Sequence, residues 1–215
     1  RTLGPWAEHL NGTFAVINLA GRSVNCRYTR KNRQAIYDSR LASTAVIGQA
    51  IAAAATPPPV WINSSSATIY RDAYDRPMDE VTGELGMGFS VDVCQKWEAA
   101  LNDAPTPRTR KVALRSAMVF GSGAGGVFEA FRHIVKLGLG GTLGRGVQFV
   151  SWIHMQDFCR AVHFILDHEE LAGPVNLASP NPIPNRQFMR TFRQACDKTL
   201  GLPATRWMLE IGAFV

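Results

Sequence analysis

The sequence has few cysteines, no long apolar run and no pattern typical of a secretion signal. The four cysteines, Cys26, Cys94, Cys159 and Cys196, are widely separated and form no C-x-x-C pair. This spacing argues against a disulfide framework or a zinc site and favours a reducing cytoplasm. The longest apolar stretch, residues 45–55, is typical of a buried helix, because a membrane span needs about 20 apolar residues. The first residues lack the basic start and apolar core of a signal peptide.

The chain is basic, with a formal net charge of +6 at pH 7, and much of the excess lies in residues 27–40 and 186–193. Positive charge favours anionic partners in general but specifies no ligand. No finger pattern and no basic motif interleaved with aromatic residues accompanies the charge. We therefore interpret these stretches as solvated helix faces and expect a small-molecule substrate, with no nucleic acid or membrane as partner. The oligomeric state stays open.

Short apolar runs and helical segments alternate along the chain. Runs that are apolar on both faces and bounded by turns are typical of strands in a parallel sheet. They cover residues 13–21, 60–65, 111–120, 147–153 and 174–179. The helical segments cover residues 31–55, 90–101, 127–137 and 155–168, and a last one starts near residue 185. This alternation predicts a doubly wound α/β fold with a parallel sheet and a small substrate-side lobe.

Residues 121–126 contain the pattern G-x-G-x-x-G between a predicted strand and a predicted helix. A dinucleotide loop also needs an acidic residue about 20 positions on, to hold the ribose hydroxyls. No Asp or Glu occurs over residues 130–156, although Arg132 or Arg145 could serve an NADP site instead. We interpret the motif as a loop that closes over a ligand. The alternative, a genuine phosphate loop, predicts that Gly123→Val abolishes nucleotide binding.

The segment INSSSATIY, residues 62–70, lies at the carboxyl end of a predicted strand. Ligands of parallel sheets bind at the carboxyl ends of the strands. Serine hydroxyls there can bond a carbonyl or hydroxyl group, although a serine-rich turn can equally satisfy its own backbone. SSSATIY (64–70) resembles the serine segment of the extended short-chain dehydrogenase/reductases of the nucleotide-sugar epimerase type. NLAG (18–21) resembles their glycine turn after the fourth strand, and LRSAMVFG (114–121) resembles the strand and turn beside the nicotinamide.

The segment LGLGGTLGRGVQFVSWIHMQD, residues 137–157, makes this resemblance specific to one subgroup of the family. Together with residues 38–44, 94–100 and 173–189, it is similar to one subgroup of poorly characterised epimerase-like oxidoreductases, and the similarity covers almost the whole chain. The resemblance implies a partial NAD(P)-binding Rossmann-like domain over residues 1–140, which also includes the strand near 174–179. Residues 141–215 would form the substrate-side segments.

In this family a GGTGxIG pyrophosphate loop precedes the NLAG turn by two strands, and nothing like it occurs before Asn18. The sequence starts with RTLGPW and stops within a predicted helix at RWMLEIGAFV. We therefore expect both ends to be cut and the first βαβ unit to be missing. The resemblance then places the glycine motif of residues 121–126 on the substrate side, where it would not hold a pyrophosphate.

The resemblance also implies which residues would line the ligands. The cofactor, NADP or NAD with NADPH favoured, would contact Asn18, Leu19, Ala20, Gly21, Ser64, Ser65, Arg115 and Ser116. Gln148 and Trp152 would line a substrate pocket, although packing of an apolar strand on the sheet explains Trp152 equally well.

The chain departs from the superfamily at its catalytic dyad, Tyr-x-x-x-Lys, whose spacing puts both side chains on one helix face. Alignment through CQKWE places Ser90 at the tyrosine position and Cys94 at the lysine position. A serine hydroxyl is a far poorer acid than a tuned phenol. Lys96 faces another side of the helix. Cys94 could act as a weak acid beside a cation, or it could be a buried structural cysteine.

Three further residues are candidates for proton transfer. Ser66 matches the family's catalytic serine, and Tyr70, four residues on, offers a phenol unless it is an ordinary packed aromatic. His154 has an imidazole suited to acid–base chemistry near neutral pH, unless it simply bonds backbone or Asp157. We predict an NAD(P)-dependent oxidoreductase or epimerase-like enzyme, in which the cofactor does the hydride chemistry. The alternative is a cofactor-binding sensor or scaffold that has lost catalysis.

Overall fold

The computed structural model describes residues 3–123 and 126–204 and has the α/β architecture that the sequence predicts. The strands are β1 Ala15–Asn18, β2 Val60–Ser66, β3 Arg110–Ser116, β4 Met118–Phe120, β5 Phe149–Val150, β6 Trp152–His154, β7 Gly173–Leu177 and β8 Ile183–Pro184. The helices are α1 Arg30–Ala53, α2 Phe89–Asn102, α3 Val127–Lys136, α4 Met155–Asp167 and α5 Asn185–Ala195. Within the described ranges, no helix combines the length and apolar composition that crossing a membrane requires.

A four-stranded parallel sheet has the order β1-β2-β3-β7. Asn18 is the register partner of Asn63, and Ser66 pairs with Ser116. Because all four strands run in the same direction, their carboxyl ends meet at one edge of the sheet. The NLAG turn and the serine segment therefore follow neighbouring strands at this edge.

The chain divides into two compact units. The first contains residues 3–71, Met78–Ser116 and Ala161–Leu177, and the second contains Asp72–Pro77, Ala117–Arg160 and residues 178–204. The predicted domain division at residue 140 stays a prediction, because it concerns cofactor and substrate roles, which a division by packing does not test.

Helices α1 and α2 cover one face of the first unit's sheet. Trp61 on β2 is fully buried against Ile51 of α1 and Leu101 of α2. Helix α1 begins at Arg30 because Thr29 caps it: the Thr29 hydroxyl accepts a hydrogen bond from the Asn32 backbone N–H. Its end at Ala53 precedes the proline run at 57–59, which cannot continue a helix.

The predicted strand over residues 111–120 is wrong as a single element. β3 ends at Ser116, whereas β4 pairs with β6 in a separate two-stranded sheet. The predicted strand over 147–153 is likewise two elements, since β5 pairs antiparallel with β8. An apolar run reports that a segment is buried, but it does not report which neighbour the segment pairs with, so sequence reasoning merged these strands.

The core of the second unit is aromatic. Phe120 on β4 packs with phenylalanines of α3 and α5, and the Phe131 and Phe188 ring centroids are 5.2 Å apart. We call Phe120, Phe128, Phe131, Phe188 and Phe192 the aromatic cluster. Tilted and edge-on ring pairs of this kind stabilise a core beyond the area they bury.

Candidate functional site

The NLAG turn is fixed by a buried asparagine at the end of β1. The Asn18 side chain donates to Asn63 Oδ1 at 2.6 Å, and its own Oδ1 accepts from the Ala20 backbone N–H at 3.1 Å. Asn18 is only 3% exposed, so its side chain anchors the turn from the interior of the protein. Leu19, Ala20 and Gly21 are exposed, and it is their surface that a ligand at this edge would meet.

A polar pair on the two helices supports this turn. The Trp97 indole N–H donates to Thr44 Oγ1 at 2.9 Å, and the Thr44 hydroxyl donates to Asn63 Oδ1 at 3.4 Å. Each of these groups is buried, and burying polar groups is tolerable only when they are paired. No local pattern in the sequence predicts this pairing, because Thr44 and Trp97 lie on different helices.

The three serines of the β2 end have different environments. Ser65 is buried, and its hydroxyl donates to Glu98 Oε1 at 2.6 Å. The Ser66 hydroxyl donates to Thr68 Oγ1 at 2.9 Å and accepts from the Thr68 backbone N–H at 3.2 Å. Ser66 thereby caps the 3₁₀ turn Ala67–Ile69. Ser64 is half-buried, as is Ser116, the neighbour of Ser66 on β3.

Arg115 lies at the centre of a buried polar network. Its Nε and Nη2 donate to the two carboxylate oxygens of Glu98, at 2.9 and 2.8 Å, in a bidentate pair. Its Nη1 donates to the Tyr70 hydroxyl at 2.8 Å, and that hydroxyl donates to Asn176 Oδ1 at 2.9 Å. We call Ser65, Tyr70, Glu98, Arg115 and Asn176 the Arg115 network.

Strand register explains why this network forms. Ser65, Arg115 and Asn176 are partners in one row across β2, β3 and β7, so their side chains point to the same face. The carboxylate of Glu98 raises the pKa of Arg115 above its usual range, so the guanidinium stays charged although it is buried. The ring of Tyr70 lies 5.1 Å below the same cation.

Sequence reasoning missed Glu98 and Asn176 as members of this network. A signal for Glu98 is present, since it shares the buried stripe of α2 with Cys94 and Leu101 at helical spacing. An acidic residue within an apolar stripe predicts a buried cationic partner. Asn176 has no comparable signal, because only the pairing of β7 with β3 brings it to Arg115.

The residues at the superfamily's dyad positions lie one turn apart on α2. Cys94 is buried, and burial raises the pKa of its thiol from an ordinary value of 9.0 to about 11, with a further increase from Glu98. The thiol is therefore protonated near neutral pH. Ser90 is half-buried in the first turn of the helix. This environment favours a structural cysteine over an acid or base.

The remaining predicted site residues lie in the second unit. His154 is exposed at the end of β6, and its Nδ1 accepts from the Gln156 backbone N–H at 3.3 Å. Trp152 packs against the aromatic cluster. The Gln148 side chain donates to the Leu143 carbonyl at 2.9 Å. Asp157 pairs with Arg160. These contacts give each side chain a structural role and leave its ligand role a prediction.

The glycine motif follows β4, which is not a strand of the four-stranded sheet. A Cβ at Gly121 would meet the Met155 side chain at 3.0 Å, whereas one at Gly123 would meet nothing within 4 Å. Residues 124 and 125 lie outside the described residues. The glycine motif is therefore separated from the four-stranded sheet, whereas a dinucleotide loop follows a strand of that sheet.

The NAD dependent epimerase/dehydratase family model matches residues 7–178. Among curated relatives, the epimerase family protein Mb2239 of Mycobacterium bovis is 35% identical over 208 residues, which are 95% of this chain and 68% of the relative. ML0860 of Mycobacterium leprae is 34% identical over 203 residues, which are 93% of this chain and 65% of the relative. The chain thus spans about two thirds of the length of these relatives.

Solved structures agree with this match. The crystal structure of human epimerase family protein SDR39U1 (isoform 2) with NADPH is 29% identical, with a TM-score of 0.88 over 98% of this chain and 75% of that one. A UDP-N-acetylglucosamine 4-epimerase from Bacillus cereus, 19% identical over 95% of this chain and 70% of that one, shares the fold with a TM-score of 0.75. With the match over residues 7–178, the parallel sheet and the serine segment at its carboxyl edge, the chain belongs to the NAD dependent epimerase/dehydratase family.

Proposed function

We propose that the protein is an NADPH-dependent oxidoreductase or epimerase-like enzyme that acts on a carbonyl or hydroxyl group of a small molecule. One observation carries this proposal. The exposed NLAG turn and the hydroxyl-bearing ends of β2 and β3 lie side by side at the carboxyl edge of a parallel sheet, where ligands bind in open α/β folds.

The chemistry of this edge fits one part of a dinucleotide. The exposed Leu19 and Ala20 offer apolar surface, and Ser66 and Ser116 offer hydroxyl donors, which together suit a nicotinamide and its ribose. Among residues 3–123 and 126–204, no glycine-rich turn follows a strand of the four-stranded sheet to hold a diphosphate. The crystal structure of the human relative with NADPH supports NADPH as the cofactor.

When bound, the nicotinamide supplies or accepts a hydride. In the reducing direction, Ser66 turns its hydroxyl from Thr68 to the substrate's carbonyl oxygen and polarises the C=O bond. As the carbon takes the hydride, the π electron pair moves to that oxygen, which is then protonated, and the phenol of Tyr70 is the proton source that we propose. Arg115, already 2.8 Å from the phenol oxygen, stabilises the phenolate until water returns a proton.

A fluorescence titration of the full-length protein with NADPH tests binding, and we expect saturation at micromolar cofactor. No change in fluorescence up to about millimolar cofactor would refute the proposal, since KM values of enzymes typically do not exceed that concentration. Variants then test the roles. We expect Tyr70→Phe and Ser66→Ala to lower kcat at least about a hundredfold, as the loss of a general acid does, with little change in NADPH affinity.

The alternative is a protein that binds the cofactor without catalysis. It is favoured by the Tyr70 hydroxyl, whose donor and acceptor positions are both filled, and by the buried, protonated Cys94. Incubation with NADPH deuterated at the transferred position and a panel of carbonyl compounds separates the two. An enzyme transfers the label to at least one compound, whereas a sensor or scaffold transfers none while still binding NADPH.

A further inference from the structure

A cleft at the end of helix α5 is lined by six charged and polar residues. It has a volume of about 540 Å³ and lies within the second unit. We call it the α5 cleft, and its lining residues are Arg190, Arg193, Gln194, Asp197, Lys198 and Thr199. Small-molecule sites have volumes of about 300–1,000 Å³, but most of them are lined mainly by apolar side chains. A ligand that fits this cleft is therefore of ordinary small-molecule size and strongly polar.

A reversal of the chain after α5 forms the cleft. Asp197 follows the helix with a φ of 52°, in the left-handed region that glycine usually occupies at helix ends. The Lys198 backbone N–H donates to the Arg193 carbonyl at 2.9 Å, and the Asp197 N–H donates to the Gln194 carbonyl at 3.1 Å. These two hydrogen bonds form the Schellman motif, in which the chain turns back over the last helical turn. Lys198 thereby lines the same cleft as the arginines of the helix.

The cleft carries an excess of positive charge. Three of its six residues are cations, Arg190, Arg193 and Lys198, whereas Asp197 is the one carboxylate among the six. None of these four side chains forms a salt bridge with a described residue. The two arginines are three residues apart on α5, a spacing at which like charges repel each other. The helix end does not need these cations, because the carbonyls of its last turn already accept from the N–H groups of residues 196–198.

Arg193 is held in place in the ligand-free protein. Its Nη1 donates to the Gly140 carbonyl at 2.7 Å. A Cβ at Gly201 would lie 2.7 Å from Arg193 Cδ, so the glycine makes room for the stem of this half-buried side chain. Nε and Nη2 of Arg193 donate to no described residue. A guanidinium that is already ordered offers these two donors to a ligand with little further loss of side-chain entropy.

We propose that the α5 cleft binds a small molecule that carries two or more phosphate groups. Arg193 donates to one phosphate through Nε and Nη2, because a guanidinium fork matches two oxygens of a phosphate group. Arg190 and Lys198 neutralise the remaining negative charge, and a lysine ammonium binds phosphate as a point charge. The Gln194 amide and the Thr199 hydroxyl are further hydrogen-bond donors. This site is additional to the carboxyl edge of the four-stranded sheet, and it does not depend on the proposed NADPH binding.

Isothermal titration calorimetry of the full-length protein with inorganic triphosphate tests the proposal. We expect saturable binding with a Kd below about 1 mM, the upper end of the usual range of KM for enzymes. The Kd should increase with ionic strength, because salt screens interactions between exposed charges. Absence of saturable binding up to about 1 mM triphosphate would overturn the proposal.

Substitutions of single cations test whether the cleft is the place of binding. Arg193→Gln should raise the triphosphate Kd at least about tenfold, because it removes charge-assisted hydrogen bonds. Arg190→Gln and Lys198→Gln should each raise it at least about threefold. Arg186→Gln is the matched control, since it removes an exposed cation of the same helix that is not among the lining residues, and it should keep the Kd within about twofold.

Two results of these titrations would contradict the site. An equal loss of affinity in Arg186→Gln and Arg190→Gln would mean that triphosphate responds to net charge alone. Should Arg193→Gln not fold without its bond to Gly140, the variants of Arg190 and Lys198 decide, because neither side chain bonds to a described residue. Wild-type affinity in both of those variants would overturn the proposal.

Asp197→Asn should have the opposite effect. Asparagine tolerates the left-handed conformation, so this variant removes the one carboxylate of the cleft and keeps the chain reversal. We expect the triphosphate Kd to fall at least about threefold, since a negative charge no longer repels the ligand. An unchanged or higher Kd in the folded variant would contradict the binding of an anion at this place.

Two further probes test the chemical class of the ligand. Inorganic monophosphate should bind at least about tenfold more weakly than triphosphate, because one phosphate cannot engage all three cations. Equal affinity for the two would overturn the requirement for more than one phosphate group. Citrate tests whether carboxylates serve as well, and binding as tight as that of triphosphate would overturn the assignment to phosphate.

Discussion

The Arg115 network and the aromatic cluster stabilise their units by opposite means. The network joins five polar side chains through bonds of fixed direction around a buried ion pair. The aromatic cluster fills space with five phenylalanines whose ring planes meet at many angles. Apolar packing can adjust to a change of shape, whereas an unpaired buried charge cannot be compensated. Sensitivity to substitutions of similar size is therefore expected to differ between the two regions.

Breaking the ion pair should have the largest effect. Glu98→Ala leaves the guanidinium of Arg115 buried without its carboxylate, which should lower the free energy of unfolding by about 3–5 kcal/mol. Urea unfolding measures this change. Glu129→Gln is the matched control, because its pair with Arg132 is partly exposed and should contribute little to the free energy of unfolding. A loss below 1 kcal/mol for Glu98→Ala would contradict the difference between the two regions.

A buried thiol should give the first unit an alkaline instability. The pKa of Cys94 is raised in the folded state, so its stabilising contribution is complete below the ordinary pKa of 9.0 and falls as the pH rises towards about 11. The loss over this window should be on the order of 2 kcal/mol. Thermal unfolding between pH 8 and 11, compared with Cys94→Ala, measures it. Identical slopes for the two proteins would exclude the thiol as the cause.

Removing one hydroxyl from the network should have a moderate effect. Tyr70→Phe keeps the ring but leaves Arg115 Nη1 and Asn176 Oδ1 without their shared partner, at a cost of about 1–3 kcal/mol in the free energy of unfolding. Chemical denaturation measures the cost. Tyr74→Phe is the control, because it removes the hydroxyl of an exposed tyrosine and should change the free energy of unfolding much less. Equal effects of the two substitutions would indicate that the network bonds are not needed.

The aromatic cluster should tolerate a change of shape best. Phe188→Leu removes part of a ring at 8% exposure, and the neighbouring rings can move into the space. We expect a loss of less than about 1.5 kcal/mol in the free energy of unfolding, measured in urea, since a large-to-small core replacement costs little where the neighbours can collapse into the space. A loss as large as that of Glu98→Ala would mean that the cluster is as rigid as the network.

Much of the fold was predictable because it follows from local patterns. The apolar run at 60–65 and the proline stop after α1 gave β2 and the helix end correctly. The single strand over 111–120 was wrong because leaving one sheet for another depends on distant partners. At the candidate site, sequence reasoning identified the serine segment but not which hydroxyl is buried against Glu98.

The amino-acid sequence by itself determined the alternation of strands and helices. That alternation predicts a parallel sheet, whose carboxyl edge is where a ligand would bind. Only the tertiary structure decided the partners of each side chain there. Tyr70 and Asn176 are 106 positions apart, and Asn18 and Asn63 are 45 apart. Local propensity cannot specify such pairs, because strand register sets which side chains share a face.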